Sequence, residues 1–247
     1  MVRVRIAYVV VAALLVPLAG CGGDDDPQNL TVLAAASLTD VFEELATDFE
    51  AGHDGTSVTF SFGSSTDLAE QVADGAPGDV LATADETSMS LVEDAGVTGD
   101  IETFATNVLT IVTPADNPAG IESLDDLEGT TWVRCADEVP CGKVALAVLA
   151  GNDITAEPAS LEEDVRATLD KVVSGEADAG LVYATDAVAA GDSVEAVSIP
   201  GAESALTSYF TTVLEQSENA ELAQEWVDHV ASDEGRAILE QAGFGAP

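Results

Sequence analysis

The first sixty or so residues after the N-terminal apolar run constrain the fold most, because apolar strand candidates and helix-periodic segments alternate there without interruption. "TVLAAA" (31–36) is an apolar run of strand length, after which Leu38, Val41, Phe42, Leu45 and Phe49 recur at helical spacing. "TSVTFSFG" (56–63) alternates β-branched and aromatic residues with small ones, as a strand does. "STDLAEQVADG" reads as a helix ending at Gly75, "DVLATAD" (79–85) as a short strand, and "ETSMSLVEDAG" as a helix stopped by Gly96. This β-α-β-α-β order argues for an α/β lobe with a mostly parallel sheet, since parallel neighbours need a crossover that covers the sheet face.

The rest of the chain continues the alternation. "NVLTIVTP" (107–114) is an apolar strand stopped by proline, and "SLDDLEG" is a short helix with Ser123 at its N-cap. "TTWVRCA" reads as a strand and "PCGKVALAVLAG" as a helix with Pro140 at its favoured first position. "SLEEDVRATLDKVVSGEADAGLVYATDAVAAG" reads as helix, turn, strand and helix. "SYFTTVLEQ" (208–216) is a further strand, and helices over 220–232 and 234–242 close the chain.

The N-terminus sets the compartment. Arg3 and Arg5, the apolar run 6–18 and the small residues after it have the order of a secretory signal over residues 1–20, too short to span a bilayer comfortably. "LAGC" (18–21) resembles the lipobox of bacterial lipoproteins, which implies a lipidated Cys21 followed by a solvated tether over 21–29. An ordinary cleaved signal or an uncleaved anchor are the alternatives. The expectation is an extracytoplasmic protein held at the membrane by lipid. With a net charge of −39, the surface repels nucleic acid and anionic headgroups. Sparse lysine suits a salty habitat, though an acidic exported protein would look the same. An exported chain meets oxidising conditions, so Cys135 and Cys141 in "RCADEVPCGK" read as a local disulfide rather than a metal pair, which has no histidine nearby.

Two strand-to-helix junctions carry hydroxyls: Ser37 in "AAASLTD", and Ser64 and Ser65 in "SFGSSTD". Ligands of open α/β sheets lie beyond the carboxyl ends of strands, where helix N-termini offer free N–H groups and a partial positive charge. One such serine is an ordinary cap; two at neighbouring strand ends suggest a grip on an anion. Charge-assisted N–H and O–H bonds can hold an anion without lysine or arginine. A ligand that needs a salt-bridged carboxylate, such as a free amino acid, fits this chain less well.

"LTVLAAASLTDVFEELATDFE", "SFGSSTDLAEQVADGAPGDVLATAD", "VPCGKVAL", "EDVRATLDKVVSGEADAGLVYATDA" and "AILEQAGFG", in this order and at these separations, resemble the molybdate-binding proteins that feed ABC transporters. The resemblance covers essentially the whole mature chain. It implies a two-lobed periplasmic-binding-protein fold of type II, with lobe 1 over 30–106 and 208–247, lobe 2 over 107–207, and two hinge crossings. It further implies a monomer that closes on molybdate or tungstate by hydrogen bonds alone and presents it to a membrane permease, without catalysis or cofactor. The implied ligand set is the hydroxyl and backbone N–H groups of Ser37 and Ser65 from lobe 1, with the backbone N–H groups of Cys141 and Val165 and the hydroxyl of Tyr183 from lobe 2. By itself Tyr183, at the end of an apolar strand, would read as a core tyrosine. Position 141 is often a small alanine-like residue in this family; a cysteine here leaves a backbone donor intact.

Competing readings are weaker. A hydrolase would pair one of these serines with His53 or His229, but no GxSxG elbow surrounds them, and both histidines read as solvated. A ferric-ion binder would cluster tyrosines, yet only Tyr183 and Tyr209 follow the signal. A binder of sulfate or phosphate is the nearest rival, and a sensor lipoprotein of the same fold is the other.

Overall fold

The computed structural model describes residues 28–247. The signal sequence, Cys21 and the tether up to residue 27 lie outside the described residues. Two five-stranded mixed sheets, each flanked by helices, build two lobes. The first sheet has the order β2-β1-β3-β10-β4, from β1 (Gln28–Ala35), β2 (Thr56–Gly63), β3 (Val80–Thr83), β4 (Thr98–Asn107) and β10 (Thr207–Leu214). The second has the order β7-β6-β8-β5-β9, from β5 (Leu109–Pro114), β6 (Trp132–Cys135), β7 (Ser160–Glu162), β8 (Ala179–Tyr183) and β9 (Val194–Ser198). In each sheet three strands pair in parallel and two antiparallel strands close one side. The parallel half carries the strand-to-helix junctions.

The chain passes between sheets twice, at Val108 between β4 and β5 and again between β9 and β10. The second passage places a late strand between β3 and β4, so lobe 1 is sewn from both ends of the chain.

Each lobe has its own core. In lobe 1, α1 (Thr39–Gly52) buries Val41, Phe42, Leu45, Ala46 and Phe49, the face that the helical spacing marks. Trp226 of α7 (Ala220–Ala231) meets Phe42 and Phe49 edge-on, with ring centroids 5.6 and 5.5 Å away. Full burial of one such side chain is worth about 1.5–3 kcal/mol. In lobe 2, Trp132, Leu109, Ile111, Val133 and Leu181 form the corresponding centre.

Several sequence expectations need correction. β1 begins at Gln28, two residues inside the stretch read as tether, and pairs from there with Thr56. Strand β4 was not anticipated: "TGDIETFATN" mixes acidic and apolar residues because the strand lies at the edge of its sheet. Strands β7 and β9 were missed for the same reason. His229 is not solvated, for it packs against Phe49 and Trp226 with its side chain 17% exposed. His53 stacks on Phe49 at 3.9 Å and reaches Glu225 at 3.3 Å. His53 reaches α7 through Nε2 and His229 packs on Phe49 of α1, so both join α1 to α7.

Candidate functional site

Six strand ends meet at the cleft. The segments after β1, β2 and β3 in lobe 1 and after β6, β7 and β8 in lobe 2 line a cavity of about 230 Å³, its mouth included. With that mouth counted in, the enclosed part is far smaller than a pocket for a drug-sized ligand, so the space suits a small ion. Ser37, Ser65, Cys141, Val165 and Tyr183 all border it. Ala35, Ala36, Gly63 and Ala84 fill the wall between them, and such short side chains let backbone approach an occupant closely.

The lobe 1 hydroxyls are oriented from behind. Ser65 Oγ accepts the N–H of Ala84 at 2.9 Å, which leaves its own proton to point elsewhere. Ser37 Oγ lies 2.8 Å from the Tyr209 hydroxyl, in a buried contact. The direction of that bond follows from Asn107. Its Oδ1 accepts the Val108 N–H at 2.9 Å, so its Nδ2 must face Thr185 Oγ1 at 2.8 Å and the Tyr209 hydroxyl at 3.3 Å. Tyr209 therefore accepts from Asn107, and as the donor toward Ser37 it would leave the serine proton free. Burial raises the Tyr209 phenol further above its ordinary range, which keeps it a donor. Phe244, from the C-terminal segment, packs edge-on against Tyr209 at 5.3 Å.

Lobe 2 offers backbone and one phenol. Cys141 lies in the first turn of α4 (Pro140–Gly151) and Val165 opens α5 (Val165–Val173), where N–H groups have no intrahelical acceptor. Asp164 borders the cavity too, but its carboxylate is committed as the N-cap of α5, accepting the Ala167 N–H at 2.8 Å. The start of α4 is held by the Cys135–Cys141 disulfide. Beneath it Gly142 lies so close to the Ala136 carbonyl that an added Cβ would sit 1.7 Å from that oxygen, so only glycine fits. The Tyr183 hydroxyl and Ser64 Oγ are buried and meet no hydrogen-bonding geometry among the described residues, although the Thr207 hydroxyl lies near the phenol. Burial raises the Tyr183 phenol well above its ordinary range, so it stays protonated and available as a donor. Nearby Thr207 spends its own proton on the Ala84 carbonyl.

No cation borders the cavity among its lining residues. The two basic groups nearest in sequence turn away to carboxylates. Lys143 Nζ lies 2.7 Å from Asp85 Oδ2, and Arg166 Nε lies 2.9 Å from Asp186 Oδ1. Asp186 is fully buried, and burial pushes its pKa up to about 7 against the pull of Arg166. Neither histidine borders the cavity.

All five sequence-derived candidates thus converge in space. The sequence reading missed the Asn107–Tyr209 support behind Ser37, because its members lie 70 to 172 positions from the serine and no local pattern links them. The available signal was slight: Asn107 stands at the hinge, where a buried amide has to satisfy itself.

The family model of the bacterial extracellular solute-binding proteins matches residues 30–245. The molybdate-binding protein ModA of Mycobacterium tuberculosis is 37% identical over 252 residues, covering 97% of this chain and 97% of its own. Among solved structures, the periplasmic molybdate-binding protein of Azotobacter vinelandii superposes with a TM-score of 0.79 at 22% identity, over 88% of this chain and 99% of that one. The sulfate-binding protein SubI of M. tuberculosis reaches 0.77 at 22% identity, over 88% and 86%. These two structural likenesses speak for the fold alone.

Proposed function

The chain belongs to the bacterial extracellular solute-binding proteins, and on that premise we propose that it captures molybdate, or tungstate as its close equivalent, between its lobes for delivery to an ABC permease. The observation that carries this reading is the convergence of hydroxyl and N–H donors from both lobes on one small cavity that no cation lines. Such a donor set matches a doubly charged tetrahedral oxyanion, whose oxygens accept in several directions at once. Bridging both lobes, the anion stabilises the closed form, which is the form a permease would recognise. The choice of molybdate rests on the 37% identity with ModA over nearly the full length of both chains. Sulfate is the second reading, since the same donor set can meet any doubly charged tetrahedral oxyanion. Lipidation at Cys21 of "LAGC" would keep the protein at the outer face of the membrane, which detergent-dependent release from the membrane fraction would reveal.

A thermal-shift titration tests the ligand. A ligand selective for the folded state raises Tm by mass action, with about 4 kcal/mol expected at a thousandfold excess over Kd. Molybdate and tungstate should each raise Tm by several degrees while sulfate and phosphate do not. Protection by sulfate or phosphate but not by molybdate or tungstate overturns the reading.

A further inference from the structure

We propose that two ion pairs across the cleft, Arg166–Asp40 and Lys143–Asp85, form a latch that sets how readily the lobes close; this rests on the reading of the site as an anion trap between lobes. Arg166 Nη2 in lobe 2 lies 2.6 Å from Asp40 Oδ2 in lobe 1, and Lys143 Nζ in lobe 2 lies 2.7 Å from Asp85 Oδ2 in lobe 1. The pairs occupy opposite flanks of the cavity. Asp40 and Arg166 line a groove that shares Ser37 with the cavity, and Asp85 and Lys143 line another that shares Pro140 with it. Every charged partner stands within three positions of a cavity-lining residue: Asp40 after Ser37, Asp85 after Ala84, Lys143 after Cys141, Arg166 after Val165. Closing on an anion and joining these charges are therefore one movement.

Two of the four groups, one in each pair, are set in place by their own lobe. Arg166 is held on lobe 2 by buried Asp186, so its outer nitrogen is presented toward lobe 1. Asp85 Oδ1 accepts the Ser88 N–H at 2.9 Å as the N-cap of α3 (Glu86–Asp94), which leaves Oδ2 for Lys143. Little side-chain freedom remains to be lost when the pairs form, a cost that makes most surface pairs worth little. The setting strengthens the case. The sequence has 46 acidic and 7 basic residues, so two acidic lobes repel as they approach. Of the five basic residues in the described region, Arg134, Lys143, Arg166, Lys171 and Arg236, two bridge the lobes. The latch acts with or without anion, favouring the closed form in both cases and slowing anion release.

The test is the double variant Asp40→Asn with Asp85→Asn. Asparagine keeps the N-cap at position 85, and position 40 is largely exposed, so the fold stays intact. Molybdate binding is measured by calorimetry in 50 mM and 1 M NaCl, with solution scattering of the ligand-free protein alongside. The variant should bind about tenfold more weakly at low salt, the gap should shrink toward twofold at high salt, and its ligand-free form should be more open. The sign is decisive, because removal of two negative charges beside an anion site would by itself tighten binding. Equal or tighter binding with unchanged scattering overturns the latch. If no oxyanion binds either protein, the functional reading fails while the scattering comparison still decides the latch.

Discussion

The two jaws of the cleft differ in the side-chain donors they offer, although each has peptide N–H groups at a helix start, that of α2 (Ser65–Ala73) in lobe 1 among them. Lobe 1 presents side-chain hydroxyls, Ser37 and Ser65, each turned by a buried partner: Tyr209 behind Ser37 and the Ala84 N–H behind Ser65. Lobe 2 presents peptide N–H groups at two helix starts, with the Tyr183 phenol as its one side-chain donor. The contrast teaches where sequence identity matters. A hydroxyl is lost with its residue, whereas a peptide N–H survives every substitution except proline and depends on the backbone that aims it.

The largest effect is expected from Ser37→Ala combined with Ser65→Ala. Hydrogen bonds to charged groups are worth about 1.5–3 kcal/mol each, so molybdate affinity should fall roughly 10²- to 10⁴-fold in calorimetry. An unchanged Kd would break the comparison by removing both hydroxyls from the grip. Lobe 2 should respond otherwise. Val165→Ala should cost less than about twofold in affinity, since it leaves the N–H in place, whereas Cys135→Ala with Cys141→Ala should cost several-fold by loosening the start of α4. The same cysteine pair should also lower stability, by about 2 kcal/mol for so short a loop. A loss at Val165→Ala as large as that of the serine pair would show that side-chain identity governs lobe 2 as well.

The shared cavity wall was legible in the sequence because its residues sit at strand-to-helix junctions. The five candidate positions each lie beside a change from apolar run to helical period, and local pattern reports such boundaries. The supports are another matter. Tyr209 reaches Ser37 only because β10 returns to lie beside β3, and Asn107 reaches Thr185 only because the hinge brings β4 to α6 (Ala184–Ala190). His53 and His229 misled for the same reason: polar, turn-adjacent or on an acidic helix, they were read as solvated until α1 and α7 packed face to face.

The smallest expected effect concerns Asp186, which holds Arg166 on the lobe 2 jaw. Its pKa is raised from 3.8 to about 7, chiefly by burial. A carboxyl that binds its proton more tightly when folded adds stability that is complete below about pH 4 and is lost as pH rises through 7. Wild type should therefore lose Tm relative to Asp186→Asn as pH is raised from 5 to 8. A constant difference would mean that Arg166 fully offsets the burial.

The sequence by itself determined the alternation of strands and helices, the apolar face of each helix, the nearby cysteine pair and the hydroxyls at the strand ends, because these depend on spacing within a few residues. Tertiary structure alone decided which strand joins which sheet, which hydroxyl stands behind Ser37 and which carboxylates meet Lys143 and Arg166. Those outcomes need residues 20 to 172 positions apart to meet, and only the packed lobes bring them together.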